Sequence, residues 1–73
     1  MNDLSRADVI KLIAISTKPL NLRGVNLEAV DLSKLDLTGA NLSKANLSKA
    51  NLQGTILAGA NLTGANLIGA KGI

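Results

Sequence analysis

The chain has 73 residues and a formal net charge of +3, and it contains no cysteine, histidine or aromatic residue. This length predicts one small domain, and the missing cysteines exclude disulfides, thiol catalysis and cysteine-bound metals. The absence of aromatic rings removes base-stacking platforms and aromatic hot spots, which argues against single-stranded nucleic-acid binding.

The N-terminal residues predict a short helix. Ser5 followed by Asp8 resembles a capping box, so a helix of about ten residues should begin at Arg6 and end before Pro19. The apolar run is interrupted by Lys11 and is too short to span a membrane, and no small-residue cleavage site of a signal peptide follows it. We therefore expect no membrane partner and a cytoplasmic protein. The residues available for a buried helix face are Val9, Ile10, Leu12, Ile13 and Ile15.

A leucine recurs at every fifth position in the rest of the chain. On an α-helix, successive leucines of this series would point about 140° apart, and on a straight strand they would alternate between two sides. If the chain instead bends after each short segment, every leucine can face one common axis, which predicts a solenoid with its core along the middle. The predicted core leucines are Leu22, Leu27, Leu32, Leu37, Leu42, Leu47, Leu52, Leu57, Leu62 and Leu67.

The positions around each leucine support regular corners. The two residues after it are mostly turn-compatible, as in Arg23-Gly24 and Thr63-Gly64, and glycine there can adopt a positive φ. The residue before it is almost always Asn or Asp, whose side chain can bond nearby backbone and stack as a ladder between coils. These Asn and Asp residues are Asn21, Asn26, Asp31, Asp36, Asn41, Asn46, Asn51, Asn61 and Asn66.

The segments Ala40-Asn41-Leu42-Ser43-Lys44 and Ala60-Asn61-Leu62-Thr63-Gly64 resemble the A(D/N)LXX unit of the pentapeptide-repeat family. The resemblance covers residues 20–71. It implies an all-β solenoid, a right-handed quadrilateral β-helix of about two and a half coils in which residues twenty apart stack. We expect a capping helix and connection over 1–19 and the β-helix over 20–73.

In that register, large inward residues two positions before the leucines occur only in the first coil. A close-packed interior cannot take the excess volume unless the coil widens or something covers its end, and the N-terminal helix is the expected cover. These large residues are Leu20, Val25, Val30 and Leu35.

No motif predicts catalysis. Asp31 and Asp36 would lie on different faces of a square coil, so they do not form a catalytic carboxylate pair. The glycine spacing of residues 64–69 lacks the Lys-Ser/Thr pair of a phosphate loop, and the glycosylation sequons follow automatically from the repeat. We expect no enzyme activity, cofactor, metal site or small-molecule substrate.

Two sets of residues are not explained by the repeat itself. Ile56, Ile68 and Ile73 occupy positions that are usually polar, and they predict an interaction surface near the C-terminal end. Gly72 replaces the eleventh leucine, which predicts that the coil stops there. The second set consists of lysines, which form either a basic surface or solvent-facing corners that keep the protein soluble. These lysines are Lys34, Lys44, Lys49 and Lys71.

The leading hypothesis is a non-catalytic scaffold that binds another protein, or itself as a homodimer, through the C-terminal coil. The alternative is weak binding of nucleic acid or an anionic surface through the corner lysines. Some family members mimic duplex DNA and inhibit topoisomerases, but a mimic needs a long acidic rod, whereas this chain is short and basic.

Overall fold

The structure is a computed structural model that describes residues 3–16 and 19–73. Helix α1 spans Arg6–Ile15, and the predicted capping box at its start is confirmed. Ser5 Oγ accepts from the N–H of Asp8 at 3.2 Å, and Asp8 Oδ2 accepts from the N–H of Ser5 at 2.9 Å. The hydrogen bonds that the N–H and the Oγ of Ser5 donate to Asp8 Oδ2 lower the pKa of Asp8. Residues 17–18, within the expected connection, lie outside the described residues.

Parallel bridges between residues twenty apart build the rest of the chain, so the predicted register is confirmed. Each bridge is a single residue pair because a corner follows it, and the described residues contain no longer strand. The bridges fall in four columns, which define four faces. In chain order the columns are Asn21–Asn41–Asn61, Asn26–Asn46–Asn66, Asp31–Asn51–Lys71 and Asp36–Ile56. We call residues 20–39, 40–59 and 60–73 the first, second and last coils.

Three backbone hydrogen bonds join adjacent coils at a bridge. The N–H of Asn41 donates to the carbonyl of Leu20 at 2.8 Å, and the carbonyl of Asn41 accepts from the N–H of Leu22 at 2.7 Å. The N–H of Gly24 donates to the carbonyl of Ser43 at 2.9 Å. Toward its C-terminal side, each face of a coil therefore offers two N–H groups and one carbonyl. Toward its N-terminal side it offers one N–H group and two carbonyls.

The corners are β-turns. The N–H of Val25 donates to the carbonyl of Leu22 at 3.2 Å across Gly24, whose φ is +70°. A positive φ at the third turn residue is characteristic of a type II turn, and glycine adopts it without a steric penalty. The same conformation is confirmed at the corner glycines Gly24, Gly39, Gly54, Gly59, Gly64 and Gly69.

The Asn and Asp side chains act within their own turns. Asn41 Oδ1 accepts from the N–H of Ser43 at 3.0 Å and from its Oγ at 2.6 Å. The expected bonding of these side chains with nearby backbone is therefore confirmed, and backbone bridges join the coils. The same local bond is made by Asn21, Asn26, Asp31, Asp36, Asn46, Asn51, Asn61 and Asn66.

One apolar cluster runs along the solenoid axis. Val9 of α1 is fully buried in it, together with Val30 of the first coil, and Leu20, Val25 and Leu35 pack against it half-buried. Helix α1 therefore packs on the end of the first coil, where the large inward side chains lie, as expected. No helix in the described part of the chain is long and apolar enough to cross a membrane. The seven buried leucines of the cluster are Leu22, Leu27, Leu32, Leu37, Leu42, Leu47 and Leu52.

Candidate functional site at the ends of the solenoid

The N-terminal end of the first coil is occupied by the residues around the start of α1. The N–H of Asp3 donates to the carbonyl of Asn26 at 2.9 Å, and the N–H of Asn26 donates to Asp3 Oδ2 at 2.8 Å. These are the two groups of Asn26 that a preceding coil would engage. Asp3 therefore stands in for a bridging residue on the second face.

Arg6 covers the third face. Its Nη1 donates to the carbonyl of Asp31 at 2.9 Å and to that of Ser33 at 3.1 Å. Arg6 Nη1 also lies 3.4 Å from Asp31 Oδ1, but both side chains are substantially exposed, so this ion pair contributes little. Hydrogen bonds from Ser33, and to a smaller extent the charge of Arg6, lower the pKa of Asp31.

Sequence reasoning missed both Asp3 and Arg6. The available signal is that Arg6 stands at the first helical position, where the helix dipole favours acidic side chains. A basic residue at this unfavourable position indicates that its side chain donates to an acceptor elsewhere in the fold. Here the acceptors are backbone carbonyls of the first coil.

A shallow cavity of about 230 Å³ lies between the end of α1 and the fourth face, where Ile13, Ser16 and Asp36 help to line it. Asp36 is the charged residue of its described lining, and Asp36 Oδ1 accepts from Thr38 Oγ1 at 2.6 Å. That bond lowers the pKa of Asp36. The described lining offers no second charged group that would hold a ligand.

The C-terminal edge is formed by the outward backbone groups of residues 54–71, and no described residue covers it. Its groups have no hydrogen-bond partner within the described residues, although the equivalent groups of the earlier coils are bonded. The carbonyls of Thr55, Ala60, Ala65 and Ala70 are the unpaired acceptors. The unpaired N–H groups are those of Gly54, Leu57, Gly59, Leu62, Gly64, Leu67 and Gly69.

The last core leucines form an apolar floor at this edge. Leu57, Leu62 and Leu67 pack against the core but are only half-buried, unlike their counterparts in the earlier coils. Ile68 is 78% exposed and Ile73 is 65% exposed, both in the last coil. The third predicted contact residue, Ile56, is 49% exposed and lies in the Asp36 bridge column of the second coil.

The chain leaves the repeat path at Gly72. Its φ is +88°, and a Cβ placed there would lie 2.6 Å from the backbone nitrogen of Gln53. Only glycine fits so close to the second coil, and the described residues form no bridge beyond Lys71.

The corner lysines adopt the left-handed backbone conformation, and most other corners have glycine at the equivalent position. Lys34, Lys44 and Lys49 have φ values of 60–63°. A Cβ at Gly64 would lie 3.4 Å from Lys44 Cγ, and a Cβ at Gly69 would lie 3.4 Å from Lys49 Cγ. Each lysine stem therefore leans over the corner glycine of the next coil.

The predicted basic residues do not share one face. The stems of Lys44 and Lys49 lean toward the C-terminal edge at neighbouring corners. Lys34 lies at the following corner one coil earlier, over Gly54, and Lys71 lies in a bridge column of the last coil.

No cluster of acidic, histidine or cysteine side chains in residues 3–16 and 19–73 is suited to hold a metal ion. The lowered pKa values of the aspartates arise mainly from hydrogen bonds with residues two or three positions away. The described residues therefore offer backbone edges and apolar contacts, with no arrangement of nucleophile and base.

The family model for pentapeptide repeats matches the chain in eight copies, over residues 21–57 and 45–71. These ranges overlap and together include all four bridge columns. No curated protein matches the chain at a significant level. The chain belongs to the pentapeptide-repeat family, whose members are generally non-catalytic repeat proteins.

Proposed function

We propose that the protein is a non-catalytic interaction module that binds another protein, or a second copy of itself, through the C-terminal edge. The observation that supports this proposal is the difference between the two ends. Asp3 and Arg6 occupy backbone groups at the N-terminal end, whereas the C-terminal edge keeps N–H groups and carbonyls that no described residue pairs with. An unpaired edge of this kind is a template for pairing with another chain.

The apolar floor adds a driving force. Covering Leu57, Leu62 and Leu67 would remove apolar surface from water, and Ile68 extends that surface outward. In this proposal the protein acts in the cytoplasm, and its solenoid is the right-handed quadrilateral β-helix of about two and a half coils that the resemblance implies.

A matched pair of substitutions tests the proposal. Ile68→Lys places a charge beside the apolar floor, and Thr63→Lys places the same charge at the equivalent position of the preceding repeat, which is already polar. We expect Ile68→Lys to lose most binding of the partner and Thr63→Lys to retain it. Binding is measured by sedimentation velocity with interference optics, because the chain has no aromatic chromophore, and by quantitative affinity capture from the native host.

If both variants bind as the parent chain does, in either assay, the C-terminal edge is not the docking surface. Circular dichroism of each variant checks that the solenoid is intact. A parent chain that stays monomeric at high concentration removes the self-association version and leaves a different protein as the partner.

Binding of nucleic acid or an anionic surface is the weaker function. Lys44 and Lys49 lean over neighbouring corners, but Lys34 and Lys71 are placed elsewhere around the solenoid. Four lysines spread in this way do not meet one phosphate surface together, so we expect no retention on heparin beyond low salt.

A further inference from the structure

We infer that the C-terminal edge fits the N-terminal edge of a second copy of this chain, stacked head to tail, and that α1 controls this association by covering the N-terminal edge. The inference rests on the proposed function of the C-terminal edge and specifies the partner surface. Hydrogen-bonding sense, charge and core volume each support it.

The first reason is the sense of the hydrogen bonds. Among residues 3–16 and 19–73, the C-terminal edge has seven unpaired N–H groups and four unpaired carbonyls, so it is rich in donors. The N-terminal side of a coil is rich in acceptors, as Asn41 shows by offering its N–H and carbonyl together with the carbonyl of Ser43. Head-to-tail stacking repeats the bonding seen between coils. Tail-to-tail stacking would leave N–H groups facing N–H groups and unsatisfied.

The second reason is charge. The last bridge of the chain is at Lys71 on the third face, so a copy that continues the same path places its own first face above Ile56. In that register Asp36 of the second copy lies above Lys71. Glu28 of the second copy lies above Thr63, next to the corner over which Lys44 leans.

The same register places Lys34 of the second copy near Lys49, which is a like-charge contact. Tail-to-tail association is less favourable, because it brings Lys71 of the last coil, together with Lys44 and Lys49 that lean toward the same edge, against their counterparts in the other chain and offers no acidic partner. All five acidic residues lie at or before Asp36 in the chain.

The third reason is volume in the core. The inward positions of the last coil hold small residues, including Ala60, Ala65 and Ala70, whereas the first coil holds larger ones such as Val25 and Leu35. Stacking the first coil on the last coil brings large side chains over small ones, as close packing requires.

Helix α1 prevents this stacking while it is in place. Val9 is 0% exposed on the end of the core, and Asp3 and Arg6 hold three carbonyls of the first coil. Because the two edges of one chain are complementary but distinct, opening α1 would generate an open-ended series rather than a closed dimer.

The test opens the N-terminal edge of the full chain with Arg6→Ala and Val9→Asp. We expect this variant to form dimers, trimers and longer species as its concentration rises, by sedimentation velocity, while the parent chain does not stack. Adding Lys71→Asp should weaken the association about two- to fivefold, as expected for an exposed ion pair, and adding Asp36→Lys to that variant should restore it. Gln53→Asp is the control, because it places the same acidic side chain in the second coil, away from both the Asp36–Lys71 and the Glu28–Thr63 contacts.

Association that ends at a dimer, or a folded, open variant that remains monomeric, would overturn the inference. Dimers of the parent chain that become stronger in Lys71→Asp would also overturn it, because relief of repulsion between two Lys71 side chains indicates tail-to-tail association. If circular dichroism shows that Val9→Asp disrupts the solenoid, Asp3→Pro with Arg6→Ala opens the same edge while keeping Val9. If the opened variants do not stack but Ile68→Lys selectively loses partner binding, head-to-tail stacking is wrong and the proposed function of the C-terminal edge stands. If Ile68→Lys and Thr63→Lys bind the partner equally, the proposed function is wrong.

Discussion

Arg6 Nη1 donates to the main-chain carbonyl of Asp31 at 2.9 Å and lies farther, at 3.4 Å, from the carboxylate of the same residue. The stabilising contact is therefore with the backbone edge, and the ion pair is secondary because the two side chains are 37% and 55% exposed. We expect Arg6→Ala to lower the free energy of unfolding by about 1 kcal/mol.

Asp31→Asn is the matched control for that prediction. Asparagine keeps the carbonyl that Arg6 contacts and a side-chain oxygen for the N–H of Ser33, so Asp31→Asn should lower the free energy of unfolding by much less than Arg6→Ala does. Urea unfolding followed by far-ultraviolet circular dichroism measures both. Equal losses in the two variants would show that the ion pair, and not the carbonyl contact, stabilises the end.

Leu42 and Leu62 stack in one inner column but differ in burial. Leu42 is 0% exposed between two coils, whereas Leu62 is half-buried at the C-terminal edge. We expect Leu42→Ala to cost about 3 kcal/mol, because a cavity remains among packed neighbours, and Leu62→Ala about 1 kcal/mol. Chemical unfolding compares the two, and a cost for Leu62→Ala as large as that for Leu42→Ala would mean that another surface covers the edge in solution.

Gly72 and Gly24 both have positive φ but different surroundings. A Cβ at Gly24 meets nothing within 4 Å, whereas one at Gly72 overlaps the backbone of Gln53. Gly24→Ala should cost about 1–2 kcal/mol from its conformation alone. Gly72→Ala should detach the end of the chain and free the N–H of Leu52, which donates to the carbonyl of Lys71 at 2.9 Å.

Amide hydrogen exchange separates the two effects. We expect the N–H of Leu52 to lose protection in Gly72→Ala and to keep it in Gly24→Ala. Retained protection of Leu52 in Gly72→Ala would show that residues 71–73 accommodate the methyl group by a small shift.

Stability should decrease in acid. The pKa values of Asp8, Asp31 and Asp36 lie below the ordinary 3.8, so these carboxyls bind protons less readily in the folded chain than in the unfolded chain. Their contribution is present above the ordinary value and is lost as the pH falls through the lowered values. With no histidine in the chain, the urea midpoint should be the same at about pH 5 and about pH 7, and lower at about pH 3.

Asp36→Asn checks the source of this acid dependence. It removes the titrating group that Thr38 stabilises, so the decrease in midpoint toward low pH should become smaller. An unchanged decrease would assign the effect to the other carboxyls.

Sequence reasoning was most accurate where the physics is local or periodic. Ser5 and Asp8 identify the helix start because a capping box needs only residues three apart. The five-residue leucine period predicts a common axis, and the family resemblance gives the twenty-residue register that the bridges confirm. The expected bonding of the Asn and Asp side chains with nearby backbone is confirmed at Asn41 and its equivalents, whereas the stacking of these side chains between coils stays a prediction.

The amino-acid sequence by itself determined the helix start, the corners and the inner leucine columns, since these follow from contacts within a repeat or from its period. Only the tertiary structure decided that Arg6 covers the carbonyls beside Asp31, that Lys44 leans over Gly64, and that the C-terminal edge is rich in donors. These features join residues about twenty or more positions apart, and their orientation depends on how one coil lies on the next, which no local pattern specifies.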